Sequence, residues 1–235
     1  MLKHIGIAAV SAEGAALCYR TICAEAAALL GPHAHPEVTM HTYPLSEYVR
    51  HMEAGRWDEV ANLLFKSANI LARAGADFVI CPDNTAHQAF DLFMSRSPLP
   101  WLHIAGEVAE VASSRGCRRV GILGTRFLME GPVYPQKLAA LGLEFEIPAP
   151  DDRESINRII FDELVYGRFD DKARRFLQDV IRRLKDAECD AVALACTEIP
   201  LLIGEADSAL PTLDSTRILA RAALREAVAH GGNCE

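Results

Sequence analysis

One pattern occurs twice in this chain, and it restricts the fold more than any other feature. Ile5-Gly6-Ile7-Ala8-Ala9 is mirrored by Val120-Gly121-Ile122-Leu123-Gly124, and Ala76-Asp77-x-Val79 by Cys189-Asp190-x-Val192. Asp83 and Cys196 each stand six residues after their aspartate. The separations Gly6 to Asp83 (77 positions) and Gly121 to Cys196 (75 positions) nearly agree. Any two α/β segments share apolar strands, but here the match continues into the turns beyond them. That continuation reads as an internal duplication of a Rossmann-like unit.

The intervening periodicities suit such a unit. Ile5–Val10 reads as a strand, residues 13–30 as a helix, Val38–Tyr43 as a strand, Trp57–Ala74 as a helix and Asp77–Cys81 as a buried strand. Strands alternating with helices imply right-handed crossovers and a parallel sheet. Short helices are expected over Ala86–Met94 and Ile199–Ile203. The Pro-rich Ser97-Pro98-Leu99-Pro100 marks a boundary, and the strand-like Leu210–Asp214 with the final helix, 215–229, is expected to return to the first half. The expected fold is α/β: two pseudo-symmetric Rossmann-like subdomains with parallel sheets and an active-site cleft between them. Their expected extents are 1–100 plus 212–235 and 101–211.

Composition removes several function classes. A formal charge of −8 argues against a nucleic-acid surface. Apolar runs stop well short of the roughly 20 residues a membrane helix needs, and the first residues read as a strand, not a signal peptide. The seven cysteines form no metal-type C-x-x-C pair, so reduced thiols in a cytoplasm are expected. No phosphate loop, H-E-x-x-H or clustered ligand set occurs, and none of the five lysines lies in a motif suggesting a pyridoxal Schiff base. The expectation is therefore no cofactor and no metal.

The chemistry gathers where the duplicated strands end, the usual ligand position in open parallel sheets. Asp83-Asn84-Thr85 and Cys196-Thr197-Glu198 each precede an expected helix, whose N–H groups and dipole favour a carboxylate. Asn84 and Thr85 serve equally as ligand donors or as ordinary caps. Cys18, Cys23, Cys81 and Cys189 fall inside apolar patterns, Cys117 in a surface turn and Cys234 in the tail. Only Cys196 follows a strand and opens a helix, a place that lowers a thiol's pKa. Two opposed groups, one from each half, can remove an α-proton from one face of a carbon and return a proton to the other.

At these residues the sequence resembles the aspartate/glutamate racemase family. The resemblance rests on Asn84-Thr85-Ala86-His87, Leu99-Pro100-Trp101-Leu102-His103-Ile104, Gly121-Ile122-Leu123-Gly124-Thr125-Arg126, Ile156-Asn157 through Glu163, Gly167, Ala195-Cys196-Thr197-Glu198-Ile199 and Leu210-Pro211-x-x-Asp214. It implies racemisation of acidic amino acids without pyridoxal phosphate, a small amino acid or related carboxylate as partner, and a homodimer. Typical members carry a cysteine in each turn; here Cys196 matches the second and Asp83 stands at the first. An ordinary carboxyl, near 3.9, is a far weaker base than a thiolate, near 8.5. The expected catalytic pair is Cys196 with Asp83. The alternatives are a single-cysteine decarboxylase or isomerase of a small acid, or a binding protein without turnover.

Other departures are Ala8-Ala9-Val10 where a glycine-rich turn is usual, Leu128 at a common hydroxyl position and Leu219 where histidine is frequent. Ser11 is retained and, with Thr125 and Thr197, is an expected substrate-binding residue. Arg50 and Arg126 are candidates for a bidentate grip on a side-chain carboxylate, or simply exposed arginines. Glu198 either caps its helix or orients Cys196, and His87 reads as structural.

Overall fold

The structure, a computed structural model, describes residues 1–229; Cys234 and the end of the expected N-terminal subdomain lie outside the described residues. The first half contains β1 (Ile5–Ala9), α1 (Ala12–Leu30), β2 (Val38–Thr42), α2 (Leu45–Glu53), α3 (Trp57–Arg73), β3 (Phe78–Ile80) and β4 (Trp101–Leu102). Then follow α4 (Ile104–Ser114), β5 (Arg119–Leu123), α5 (Arg126–Met129), α6 (Val133–Ala139), β6 (Glu144–Glu146) and α7 (Pro150–Asp162). The chain closes with α8 (Asp171–Asp186), β7 (Ala191–Leu194), α9 (Ile199–Leu202), β8 (Thr212–Asp214) and α10 (Ser215–Val228).

Two parallel four-stranded sheets result, ordered β2-β1-β3-β4 and β6-β5-β7-β8. The orders are the same, as a duplicated unit requires. The equivalence reaches individual residues. Gly6 pairs with Val79 and Gly121 with Val192, each two residues beyond its aspartate. Asp77 Oδ2 accepts the His4 N–H at 2.7 Å, while Asp190 Oδ2 accepts those of Arg118 and Arg119 at 2.7 and 3.0 Å. Both glycines leave room for the helix before the paired strand. A Cβ on Gly6 would meet Leu71 at 3.3 Å, and one on Gly121 would meet Leu184 at 2.9 Å.

In the first sheet both faces are covered, which is why β1 is buried at every position. Ile5, Ile7 and Ala9 pack with Phe78, Ile80, α1 and Leu219–Ala227 of α10. Ala8 and Val10 join Val79, Cys81, α2 and α3 on the other side. Leu219 is thus a core residue, fully buried.

The compact units are Met1–Ile104 with the chain from Thr216 onward, and Ala105–Ser215. This corrects the expected limits by a few residues at each crossing. Trp101 and Leu102 pair with β3, so the first unit runs past the prolines. Thr212–Asp214 pairs with β7, so this strand stays in the second unit and only α10 returns to the first. There Lys3 N–H donates to Ala227 O at 3.0 Å and Arg221 grips Glu25 with two bonds of 2.8 Å. No helix among the described residues is long and apolar enough to cross a membrane.

The helix after Asp83 also differs from expectation. Thr85–Leu92 is a 3-10 helix, followed by a second short one at Met94–Arg96. The His87 ring is the cause. Its Nδ1 takes Asp83 O at 2.7 Å, the carbonyl an α-helix would give to the His87 N–H, and that N–H bonds Asn84 O instead. After Cys196, α9 is a single turn with Pro200 at its start.

At the C-terminal ends of α3 and α8 the two copies diverge. Gly75 adopts φ +90°, whereas the equivalent Glu188 adopts φ +62° with a side chain present. A left-handed non-glycine residue costs about 1–2 kcal/mol. Glu188→Gly is expected to raise unfolding free energy by about 1 kcal/mol and Gly75→Ala to lower it similarly, read by urea denaturation. Equal midpoints for all three proteins would contradict this.

Candidate active site at two strand-end turns

In the first unit, β3 delivers Asp83 to a half-buried turn backed by buried Asn84 and Thr85. Asp83 Oδ1 accepts the Ala86 N–H at 2.8 Å, so the aspartate caps the turn and Asn84 does not. His87 secures the same turn from behind. Its Nε2 receives the Ile104 N–H at 3.2 Å and must be unprotonated, which leaves Nδ1–H to donate to Asp83 O. The neutral ring stacks on Phe90 with centroids 3.9 Å apart and meets His103 edge-on at 4.6 Å. The sequence motif Asn84–His87 thus has a mechanical meaning: it ties the Asp83 turn to the start of α4.

Beneath Asp83 lies Cys81, fully buried. Burial first, and the Asp83 charge second, push its thiol well up. Tyr48 of α2, completely buried, is likewise pushed up, chiefly by burial, with the charge of Asp83 contributing. No sequence signal singled out Tyr48, because α2 buries only Tyr48 and Met52, too short a stripe to show periodicity.

In the second unit, β7 delivers Cys196 to a turn that is almost closed to solvent; Cys196 is 7% and Glu198 4% exposed. Cys196 Sγ donates to Glu198 Oε2 at 3.1 Å, and Thr197 Oγ1 donates to the same oxygen at 2.8 Å. Glu198 occupies the N-cap of α9 but makes no capping bond. Of the two expected roles for Glu198, orienting Cys196 is the one observed. The helix-dipole argument for an acidified thiol needs correction, since a four-residue helix aligns few peptide dipoles.

The remaining candidates are more dispersed. Ser11 and Thr125 follow the central strands β1 and β5 and cap α1 and α5, accepting Gly14 N–H at 3.2 Å and Leu128 N–H at 3.3 Å. Arg50 is exposed on α2. Arg126 sends its guanidinium to Glu154 at 3.4 Å, and its backbone N–H to Asn157 Oδ1 at 2.9 Å. Asp83 with His87 forms one local cluster, and Cys196 with Thr197 and Glu198 another.

Replacing His87 by phenylalanine keeps the stacking but orphans Asp83 O and the Ile104 N–H. The expected loss is about 2 kcal/mol or more, from two buried groups at roughly 1–3 kcal/mol each. Thermal or urea unfolding reads it, and an unchanged stability would remove His87 from the support of the turn.

The sequence profile of the Asp/Glu/hydantoin racemase family matches residues 7–223. A candidate Asp/Glu racemase from Yersinia pestis is 32% identical and superposes with a TM-score of 0.89, over 97% of this chain and all of that one. An aspartate racemase homologue from Pyrococcus horikoshii is 30% identical, with a TM-score of 0.80 over 96% of this chain and 99% of its own. A glutamate racemase from Thermus thermophilus is 30% identical over 183 residues, 73% of this chain but only 63% of that relative.

Proposed function

Because the chain belongs to the Asp/Glu/hydantoin racemase family, a family of isomerases, we propose that it racemises a small acidic amino acid without a cofactor. Cys196 and Asp83 act on opposite faces of the α-carbon. One group takes the α-proton, the electron pair spreads into the substrate carboxylate, and the other group supplies the proton that completes the inverted centre. The observation that carries this reading is the thiol of Cys196, held in a nearly dry turn with its hydrogen directed by Glu198. Such a site favours proton transfer over solvent-exposed chemistry. The likeness to a glutamate racemase and to an aspartate racemase homologue supports aspartate and glutamate as the first substrates to try. Arg50, exposed on α2, is a candidate for the side-chain carboxylate, with Ser11, Asn84, Thr85, Thr125 and Thr197 as donors around the substrate.

Asp83 at the first turn supports a second reading, a single-cysteine decarboxylase or isomerase of a small acid. Its signature is conversion of a malonate-like acid with no α-proton exchange on aspartate or glutamate.

The deciding measurement is exchange of the α-proton for deuterium, with L- and D-aspartate and L- and D-glutamate in heavy water. Exchange of both enantiomers of one amino acid is expected. Cys196→Ser should lower it by about a hundredfold or more, and Asp83→Asn should also lower it. Full activity in Cys196→Ser would sink the proposal.

A further inference from the structure

The unequal surroundings of the two groups bear on how such an enzyme rests between turnovers. Glu198 Oε2 accepts from both Cys196 Sγ and Thr197 Oγ1, with scarcely any water at either end. A thiolate at Sγ would set a second negative charge against this oxygen with little screening. Resting on the racemase reading above, we infer that Glu198 is a positioning residue that holds the proton on Cys196 Sγ, so that the free enzyme rests with Cys196 as the acid and Asp83 as the base.

The consequence is kinetic. The enantiomer whose α-hydrogen meets Asp83 reacts with the resting form. Its C–H bond breaks to the Asp83 carboxylate, and the Sγ–H proton forms the new C–H bond, leaving Asp83 protonated and Cys196 a thiolate. Return of the proton through water is then downhill. The mirror image requires the opposite form, which is the less populated one because a thiol holds its proton more tightly than a carboxyl does. Enantiomers have equal free energies, so kcat/KM must be the same for both. The bias is therefore divided: one enantiomer has high kcat and high KM, the other low kcat and low KM, because its turnover waits for an uphill proton return.

The test compares the whole protein with Glu198→Gln. Alkylation of Cys196 by iodoacetamide is followed by peptide mass mapping across pH, and kcat and KM are measured for both enantiomers. In the parent protein the alkylation midpoint of Cys196 should lie above that of glutathione, and the two kcat values should differ by at least about tenfold. Glu198→Gln should speed Cys196 alkylation at neutral pH by about three- to tenfold, leave Cys117 unchanged, and narrow the kcat ratio. A parent midpoint at or below that of glutathione overturns the inference without recourse to the variant. So do superimposed Cys196 curves, or a shifted curve with an unchanged kcat ratio, even where racemisation is intact. A shifted curve with no α-proton exchange on any substrate overturns the racemase reading instead, and leaves Glu198's hold on the thiol standing.

Discussion

Two carboxylates, Asp77 and Asp190, determine where everything else emerges. Each binds the N–H groups that open the central strand of its sheet, and each returns its own N–H to that strand, at His4 O (2.9 Å) and Arg119 O (2.8 Å). The exchange fixes the register of β1 on β3 and of β5 on β7, and a register cannot slip by one residue without moving every side chain of the strand to the opposite face. Two backbone N–H donors hold the Asp190 carboxyl below the usual aspartate range, so the clamp persists under mildly acidic conditions. With register set, the residue six positions on is carried past the end of its strand in both copies.

The same frame then supports different chemistry. At the first turn the residue is a carboxylate that also closes its own turn through the Ala86 N–H, with a neutral histidine locking the backbone behind it. At the second it is a thiol whose proton points at a carboxylate. The two copies share a scaffold, with a carboxylate acceptor at the turn of one and a donating thiol at the turn of the other.

Much of this was legible in the sequence because the signals are local. The parallel strands and the turns holding Asp83 and Cys196 follow from spacing, while the pairing of Gly6 with Val79 and Gly121 with Val192 emerged only with the sheets. Helix α2 left no trace, since only Tyr48 and Met52 are buried in it. The unit limits moved because strand assignment depends on a partner: Trp101–Leu102 and Thr212–Asp214 are too short to declare which sheet they join. The 3-10 helix after Asp83 depends on one imidazole nitrogen, and no propensity scale registers that.

By itself the amino-acid order determined the repeated α/β unit, the resemblance to racemases and which side chains stand at the two strand-end turns. Periodicity and spacing are properties of the chain, and burial requirements translate them directly into strands and helices. Only the tertiary structure decided what those side chains are bonded to. That Glu198 faces Cys196 instead of capping its helix, and that His87 serves Asp83 through its backbone carbonyl, are matters of direction over a few ångströms. Side-chain direction is set by packing against distant residues such as Ile104, and it carries no signature in the order of the residues themselves.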